Sequence, residues 1–448
     1  MTISRDATET ADRIFSARAH IERILRFEAA LARAQARASL VPSAAAAEIE
    51  AACVIEQVDV ETIQRDAVHA GTIAIPLVQH LIAHTSQAAR VYVHWGATSQ
   101  DAIDTALVLQ MRDGLDILTA ELRQIAEAAA RLAHSHRRSV MPGRTLLQQA
   151  VPITFGLKAA RWLAATTRQL RTIQALRSGS LVLQFGGAAG TLAALGSHGD
   201  MVARLLGEEL GLPVPDLPWH AERDRTATIV AALGVTAGVV AKIAGDIVLL
   251  AQTEVGEVAE NAAAGTGGSS AMPQKRNPVD AVSAIAAARL AIGMVPVVLS
   301  AMHQEHERAA GGWQTEWTAI PDAFRHTVRA VAHVASALAT LDVRVDRMRT
   351  NLEAASGTLM SESLATALTP HHGRPEAMRL VGELSERALR GGMALREAAQ
   401  SDSRVSTALD SATIDRAFDP SAYLGNSDQL IDRALASWRD LVRERGWS

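Results

Sequence analysis

TATIVAALGVTAGVVAKIAGDIVLLAQTEVGEVAEN, residues 226–261, is the stretch whose reading decides the fold. It holds no proline, and its apolar residues recur with a helical rather than an alternating period, so it reads as one long helix. At about 1.5 Å per residue it would extend roughly 50 Å. A helix of this length and polarity is not stable alone, so its apolar face must be buried in a bundle. Gly234, Gly238, Gly245 and Gly256 interrupt it. Each costs on the order of 1 kcal/mol relative to alanine, and close helix approach is the expected compensation. Residues 101–140 are equally free of proline, and residues 279–294 run on past Pro296 toward Arg308. Strand-type alternation is confined to short runs at residues 90–94 and 181–185. The chain is therefore expected to be all-α.

Composition agrees. The 448 residues are 48% hydrophobic but only 3% aromatic, so the core must be built from closely packed aliphatic helix formers. A net charge of −4 supplies no basic field for a nucleic-acid backbone or an anionic membrane, and neither partner is expected. The most apolar segment, residues 239–251, is broken by Lys242 and Asp246 and reads as too short to cross a bilayer. A single cysteine, Cys53, excludes an intrachain disulfide and a cysteine-based metal site, which suits a reducing cytoplasm. Residues 1–13 are polar and do not read as a signal peptide.

Soft boundaries divide the chain into an N-terminal helical domain, residues 1–102, a central long-helix bundle, 103–342, and a small C-terminal helical domain, 343–448. Within the bundle, Pro213, Pro215 and Pro218 mark a loop ending at Trp219 and His220.

The chemistry concentrates in residues 265–278, Gly-Thr-Gly-Gly-Ser-Ser-Ala-Met-Pro-Gln-Lys-Arg-Asn-Pro. Its glycines and prolines break any helix, while Ser269, Ser270, Lys275 and Asn277 supply donors able to surround a carboxylate. A phosphate-cradling P-loop is excluded, because Lys275 is followed by Arg276 rather than Ser or Thr. Residues 94–101, His-Trp-Gly-Ala-Thr-Ser-Gln-Asp, and 143–148, Gly-Arg-Thr-Leu-Leu-Gln, add further donors. Thr98, Ser99, Thr145, Gln148 and Arg308 are candidate carboxylate binders, since hydroxyl, amide and guanidinium groups suit planar anions. Gln148 could equally cap a helix end, and His94 faces either the pocket or a loop partner. Gly186, Gly187 and Gly190 lack the spacing and the βαβ context of a dinucleotide turn. His303 and His306 have no evident third ligand, so neither a metal nor a cofactor is expected.

The ungapped run Gly-Ser-Ser-x-Met-Pro-x-Lys-x-Asn-Pro, residues 268–278, resembles the signature of the fumarase/aspartase superfamily. The resemblance implies three helical domains whose central bundle is also the core of a homotetramer, with sites shared between subunits. It implies that Ser270 transfers the proton while Lys275 and Asn277 stabilise the aci-carboxylate. Residues 94–101, 184–191 and 306–311 are most similar to the lactone-forming branch. That branch implies a small tricarboxylate or sulfo-dicarboxylate muconate as substrate, intramolecular carboxylate addition, and protonation of the α-carbon. Leu146 departs from the histidine of the Thr-His-x-Gln motif that β-eliminating members carry there. A carboxylate leaving group, with an acid pKa near ~4, needs no general acid, so the departure favours lactone chemistry over an adenylosuccinate-lyase-like elimination. His69 lies near a histidine of those lyases but in a different local sequence, and reads as structural. A helical scaffold that has lost activity is the alternative from another class, and the intact Ser270, Lys275 and Asn277 argue against it.

Overall fold

The computed structural model describes residues 2–261 and 267–447; Gly265 and Thr266 of the glycine-rich loop lie outside them. Five long helices dominate: α1 (Ser99–Ser135), α2 (Phe155–Gly179), α3 (Asp224–Leu250), α4 (Val279–Ser300) and α5 (Gly312–Ala339). The all-α expectation holds. The stretch at 226–261 is not one helix, however. It ends at Leu250, turns through Gly256 at φ +63°, and emerges as strand β3 (Val258–Glu260), which pairs antiparallel with β4 (Leu341–Val343). Helix α4 passes Pro296 but stops at Ser300, short of Arg308.

The strands expected at residues 90–94 and 181–185 are absent. Arg90–Tyr92 is a short 3-10 turn and residues 181–187 are irregular. The reason lies in side-chain substitution for a partner strand. The Thr105 hydroxyl donates to the Gln184 carbonyl at 2.9 Å and accepts from the Gln184 N–H at 3.1 Å, so both backbone groups are satisfied without a ladder. The strands that do form include a hairpin the sequence reading missed, β1 (Val140–Thr145) and β2 (Gln148–Thr154).

The chain divides into two compact units. The first comprises residues 1–122, 169–241 and 283–333. In it the helix Ala17–Arg37 starts where the Ser16 hydroxyl accepts from the Ala19 N–H at 3.2 Å, and it buries Ile21, Ile24 and Leu25. A Cβ on Gly234 of α3 would lie 2.4 Å from Val295 of α4, so close approach explains this glycine. Gly238 meets nothing within 4 Å in the described chain.

The second unit comprises residues 123–168, 242–282 and 334–448. Its C-terminal part packs Leu364, Leu368, Leu380, Leu384, Leu395 and Ile414 into one core. The Trp162 indole and Lys242 both pair with Asp246, which accounts for a carboxylate on an otherwise apolar helix.

Helices α3 and α4 are long and apolar enough, by length and composition, to span a membrane, which corrects the estimate made from residues 239–251 alone. The most apolar window of α3 is 56% buried, but that of α4 only 28%. Val282, Leu290, Ile292, Val297 and Leu299 of α4 stay exposed.

Candidate active site

In the first unit the motif at residues 94–101 becomes the entry into α1. Thr98 precedes the helix, and Asp101 reaches back so that one carboxylate oxygen accepts the Thr98 N–H at 3.0 Å, half of a capping box. The same carboxylate accepts from the N–H groups of Gly186 and Gly187, each at 2.9 Å, and bonds His220 Nε2 at 2.7 Å. The proline-marked loop ending at Trp219–His220 is thereby clamped to the start of α1. One helical turn on, Asp104 accepts from the Arg223 guanidinium at 2.7 and 3.2 Å and from Trp313 Nε1 at 2.9 Å. Arg223 also donates to Glu316 at 2.5–3.1 Å. The Arg223 guanidinium sits above the Trp219 ring at 4.7 Å. Arg223, Asp104 and Glu316 are all buried. Burial disfavours the charged arginine, but the two carboxylates outweigh it and hold Arg223 above its ordinary value, while burial lifts Glu316 despite Arg223.

Gln100 links this buried cluster to the candidate binder Arg308. Its Nε2 donates to Asp104 at 3.1 Å and to the His220 carbonyl at 2.9 Å, so its Oε1 is turned to accept from Arg308 Nε at 3.0 Å. Arg308 gives one further bond, from Nη2 to the Ala188 carbonyl at 3.1 Å, and keeps its remaining N–H groups for an anion. His94, at φ +57°, bonds Glu28 at 2.6 Å. Burial works against its charged form, but Glu28 prevails and raises its pKa, so His94 is a partnered imidazole rather than a free pocket base.

In the second unit, Thr145 and Gln148 face each other as the last pair of the β1–β2 hairpin. Both are exposed, and Gln148 opens a strand rather than capping a helix. The turn between them is Leu146–Leu147, with φ of +49° and +65°. A two-residue turn with both φ positive normally takes Asn-Gly; here two leucines adopt it while 97% and 75% exposed. Arg144 is not free for substrate, since it makes a two-pronged pair with the buried Glu257 at 2.7 and 2.8 Å, and Asn351 donates to the same carboxylate at 2.8 Å. In the loop, the Ser269 hydroxyl accepts from the N–H groups of Ala271 and Met272 at 3.3 and 3.1 Å, which commits it to the turn. Asn277 N–H donates to the Gly267 carbonyl at 2.8 Å. Ser270 and Lys275 are exposed. The loop hands over to α4 through Glu260, whose carboxylate accepts from the N–H groups of Asp280 and Ala281 at 3.1 and 2.8 Å.

His94, Thr98, Ser99 and Arg308 thus belong to one unit, and Thr145, Gln148, Ser270, Lys275 and Asn277 to the other. Sequence reasoning missed Gln100, Asp101, Asp104, His220, Arg223 and Glu316. Two of them were inside the quoted 94–101 motif, but nothing in the sequence pairs residue 104 with 223 and 316. His69 is exposed on the helix Val60–Ala70. Among the described residues no group of three or more His, Cys, Asp or Glu could hold a metal ion.

Residues 4–293 match a family described as Lyase, and residues 357–434 match the adenylosuccinate lyase C-terminus. A 3-carboxy-cis,cis-muconate cycloisomerase of Bradyrhizobium diazoefficiens is 44% identical over 423 residues, 94% of each chain. One of Pseudomonas aeruginosa is 45% identical over 426 residues, 94% of this chain and 93% of that one. The crystal structure of the 3-carboxy-cis,cis-muconate lactonizing enzyme from Pseudomonas putida superposes with a TM-score of 0.91 at 41% identity, covering 97% of this chain and 98% of the other.

Proposed function

Because the chain belongs to the lyase family of the fumarase/aspartase superfamily, we propose that it is a cycloisomerase closing 3-carboxy-cis,cis-muconate to a carboxymuconolactone. The observation that carries this is identity above 40%, over more than nine-tenths of both chains, to relatives that bear that name. Leu146 supports it independently, since an exposed leucine at the hairpin turn supplies no acid to a leaving group.

In the reaction one substrate carboxylate oxygen attacks the conjugated alkene carbon and a C–O bond forms. The displaced π electrons accumulate on the other conjugated carboxylate as an aci-carboxylate, against Lys275 and Asn277. Ser270 delivers a proton to the α-carbon and recovers it from solvent, so the net step consumes one proton. The remaining carboxylates are assigned to Arg308, Thr98, Ser99, Thr145 and Gln148, with His94 holding the loop that presents Thr98. The polar side chains of Ser270 and Lys275 lie open in the single chain, which supports sites completed on assembly, and the exposed apolar face of α4 supports a homotetramer. Nothing in the chemistry calls for a cofactor, and the substrate, with its three charges, calls for a water-soluble setting such as the cytoplasm.

The test mixes purified protein, without added metal or cofactor, with 3-carboxy-cis,cis-muconate, follows loss of diene absorbance and identifies the product by NMR. Lactone formation with uptake of one proton per turnover is expected. Persistence of the diene with folded, oligomeric protein, or preference for the 3-sulfo analogue, would displace this substrate. Sedimentation velocity reports the assembly, and a monodisperse monomer would remove the tetramer.

A further inference from the structure

The first unit also contains a pocket of about 540 Å³ that the reaction above leaves unused. Phe15, Val68, Ile73, Ile103, Leu107 and Trp317 wall it, and among the described residues no Asp, Glu, Lys or Arg lines it. Neither Thr98 nor Arg308 belongs to the lining. A tricarboxylate has no counter-charge there, and the apolar wall disfavours any ion. The volume is that of a small-molecule site.

Thr72 Oγ1 and Trp317 Nε1, on two of the lining residues, are buried without a hydrogen-bond partner among the described residues, and one further lining side chain supplies an acceptor of fixed direction. His20 Nδ1 lies 2.7 Å from Gln110 Oε1. Gln110 Nε2 donates to the Ile14 carbonyl at 2.6 Å, which fixes the amide and leaves Oε1 as an acceptor. The proton of His20 is therefore on Nδ1, and Nε2 presents a lone pair. Burial pulls the imidazole below its ordinary value, ahead of the opposing influence of Gln110 and Asp104, which favours the neutral ring.

We propose that this pocket binds an uncharged phenol, its ring packed among Phe15, Leu107 and Trp317 and its hydroxyl donating to His20 Nε2. A phenol meets both requirements: it presents a flat apolar body, with aromatic neighbours available on the wall, and a strong O–H donor that stays protonated at neutral pH. An anion fails the first requirement and a plain hydrocarbon the second.

Calorimetric titration of the full-length, assembled protein with p-cresol, toluene and 4-hydroxybenzoate separates these terms. p-Cresol is expected to saturate one site per chain, and toluene, which lacks only the hydroxyl, to bind about tenfold more weakly. 4-Hydroxybenzoate should fail to displace p-cresol. In His20→Leu, with its fold checked by circular dichroism, p-cresol and toluene should bind alike. If that variant does not fold, Val68→Trp, at a position 79% exposed on the pocket wall, should weaken both ligands by narrowing the entrance. Equal affinity of p-cresol and toluene for the unaltered protein, retained preference in His20→Leu, unchanged p-cresol affinity in Val68→Trp, no binding of p-cresol at all, or competitive displacement of p-cresol by 3-carboxy-cis,cis-muconate would each overturn the assignment.

Discussion

The cluster around Asp101, Asp104, Arg223 and Glu316 and the loop bearing Ser270 and Lys275 are built on opposite principles. In the first, each carboxylate is matched by several donors, and Gln100 at its edge is wholly buried with both ends of its amide committed. In the second, Ser269 and Asn277 close the turn while Ser270 and Lys275 stand exposed, their side chains bonded to nothing among the described residues. The difference teaches where rigidity is placed. In the reaction proposed for this chain the arginine that binds a carboxylate has to be held at a fixed angle, which a buried and saturated support provides; the serine proposed to transfer the proton has to be solvated in one state and dry in another, which a loop allows.

Four variants test that division, and the largest effect belongs to the loop. Ser270→Ala should lower kcat by about 10³-fold with no change in melting temperature or assembly, as loss of a positioned proton donor requires. Near-normal turnover would take the proton transfer away from the loop. Arg223→Met comes next, because it strands Asp104 and Glu316 as buried charges. It should destabilise the fold by roughly 3–5 kcal/mol in urea unfolding, and a cost below 1 kcal/mol would mean that the cluster is not a rigid support.

Gln100→Met sharpens the comparison between support and chemistry. Removing the acceptor for Arg308 Nε should raise KM about tenfold while kcat changes little. A fall in kcat at constant KM would place Gln100 in the chemical step instead. The smallest effect should come from the hairpin turn: Leu146→Asn with Leu147→Gly relieves two positive φ angles and should add about 1 kcal/mol to subunit stability. Sedimentation run alongside reports whether the leucines serve assembly, since only then does the relieved turn also weaken the oligomer.

His94 supplies a pH dependence whose sign follows from Glu28. Its folded pKa is raised above the unfolded value near 6.5, so the pair stabilises the fold fully below that value and the contribution is lost as pH rises through the higher folded pKa. His94→Gln should therefore flatten the stability profile above pH 6.5, and an unchanged slope would uncouple His94 from Glu28.

Long helices were legible in the sequence because a proline-free stretch with helical period has few other ways to satisfy its backbone. The same logic failed at residues 181–187, where the Thr105 hydroxyl and the Asp101 carboxylate replace a neighbouring strand. It failed again at residues 226–261, where β3 finds β4 about eighty residues away. The hairpin was hidden because Leu146–Leu147 carries none of the usual turn residues.

By itself, then, the sequence determined the helical class, the glycine-rich loop that carries Ser270, Lys275 and Asn277, and the absence of an acid at Leu146, because these depend on residue type at local spacing. Only the tertiary structure decided that Arg144 is consumed by Glu257, that His94 is tied to Glu28, and that Gln100 carries Arg308 on a buried ion cluster. Those pairings join residues from 66 to 208 positions apart, and a charge does not state in the sequence which opposite charge it will meet once the chain has folded.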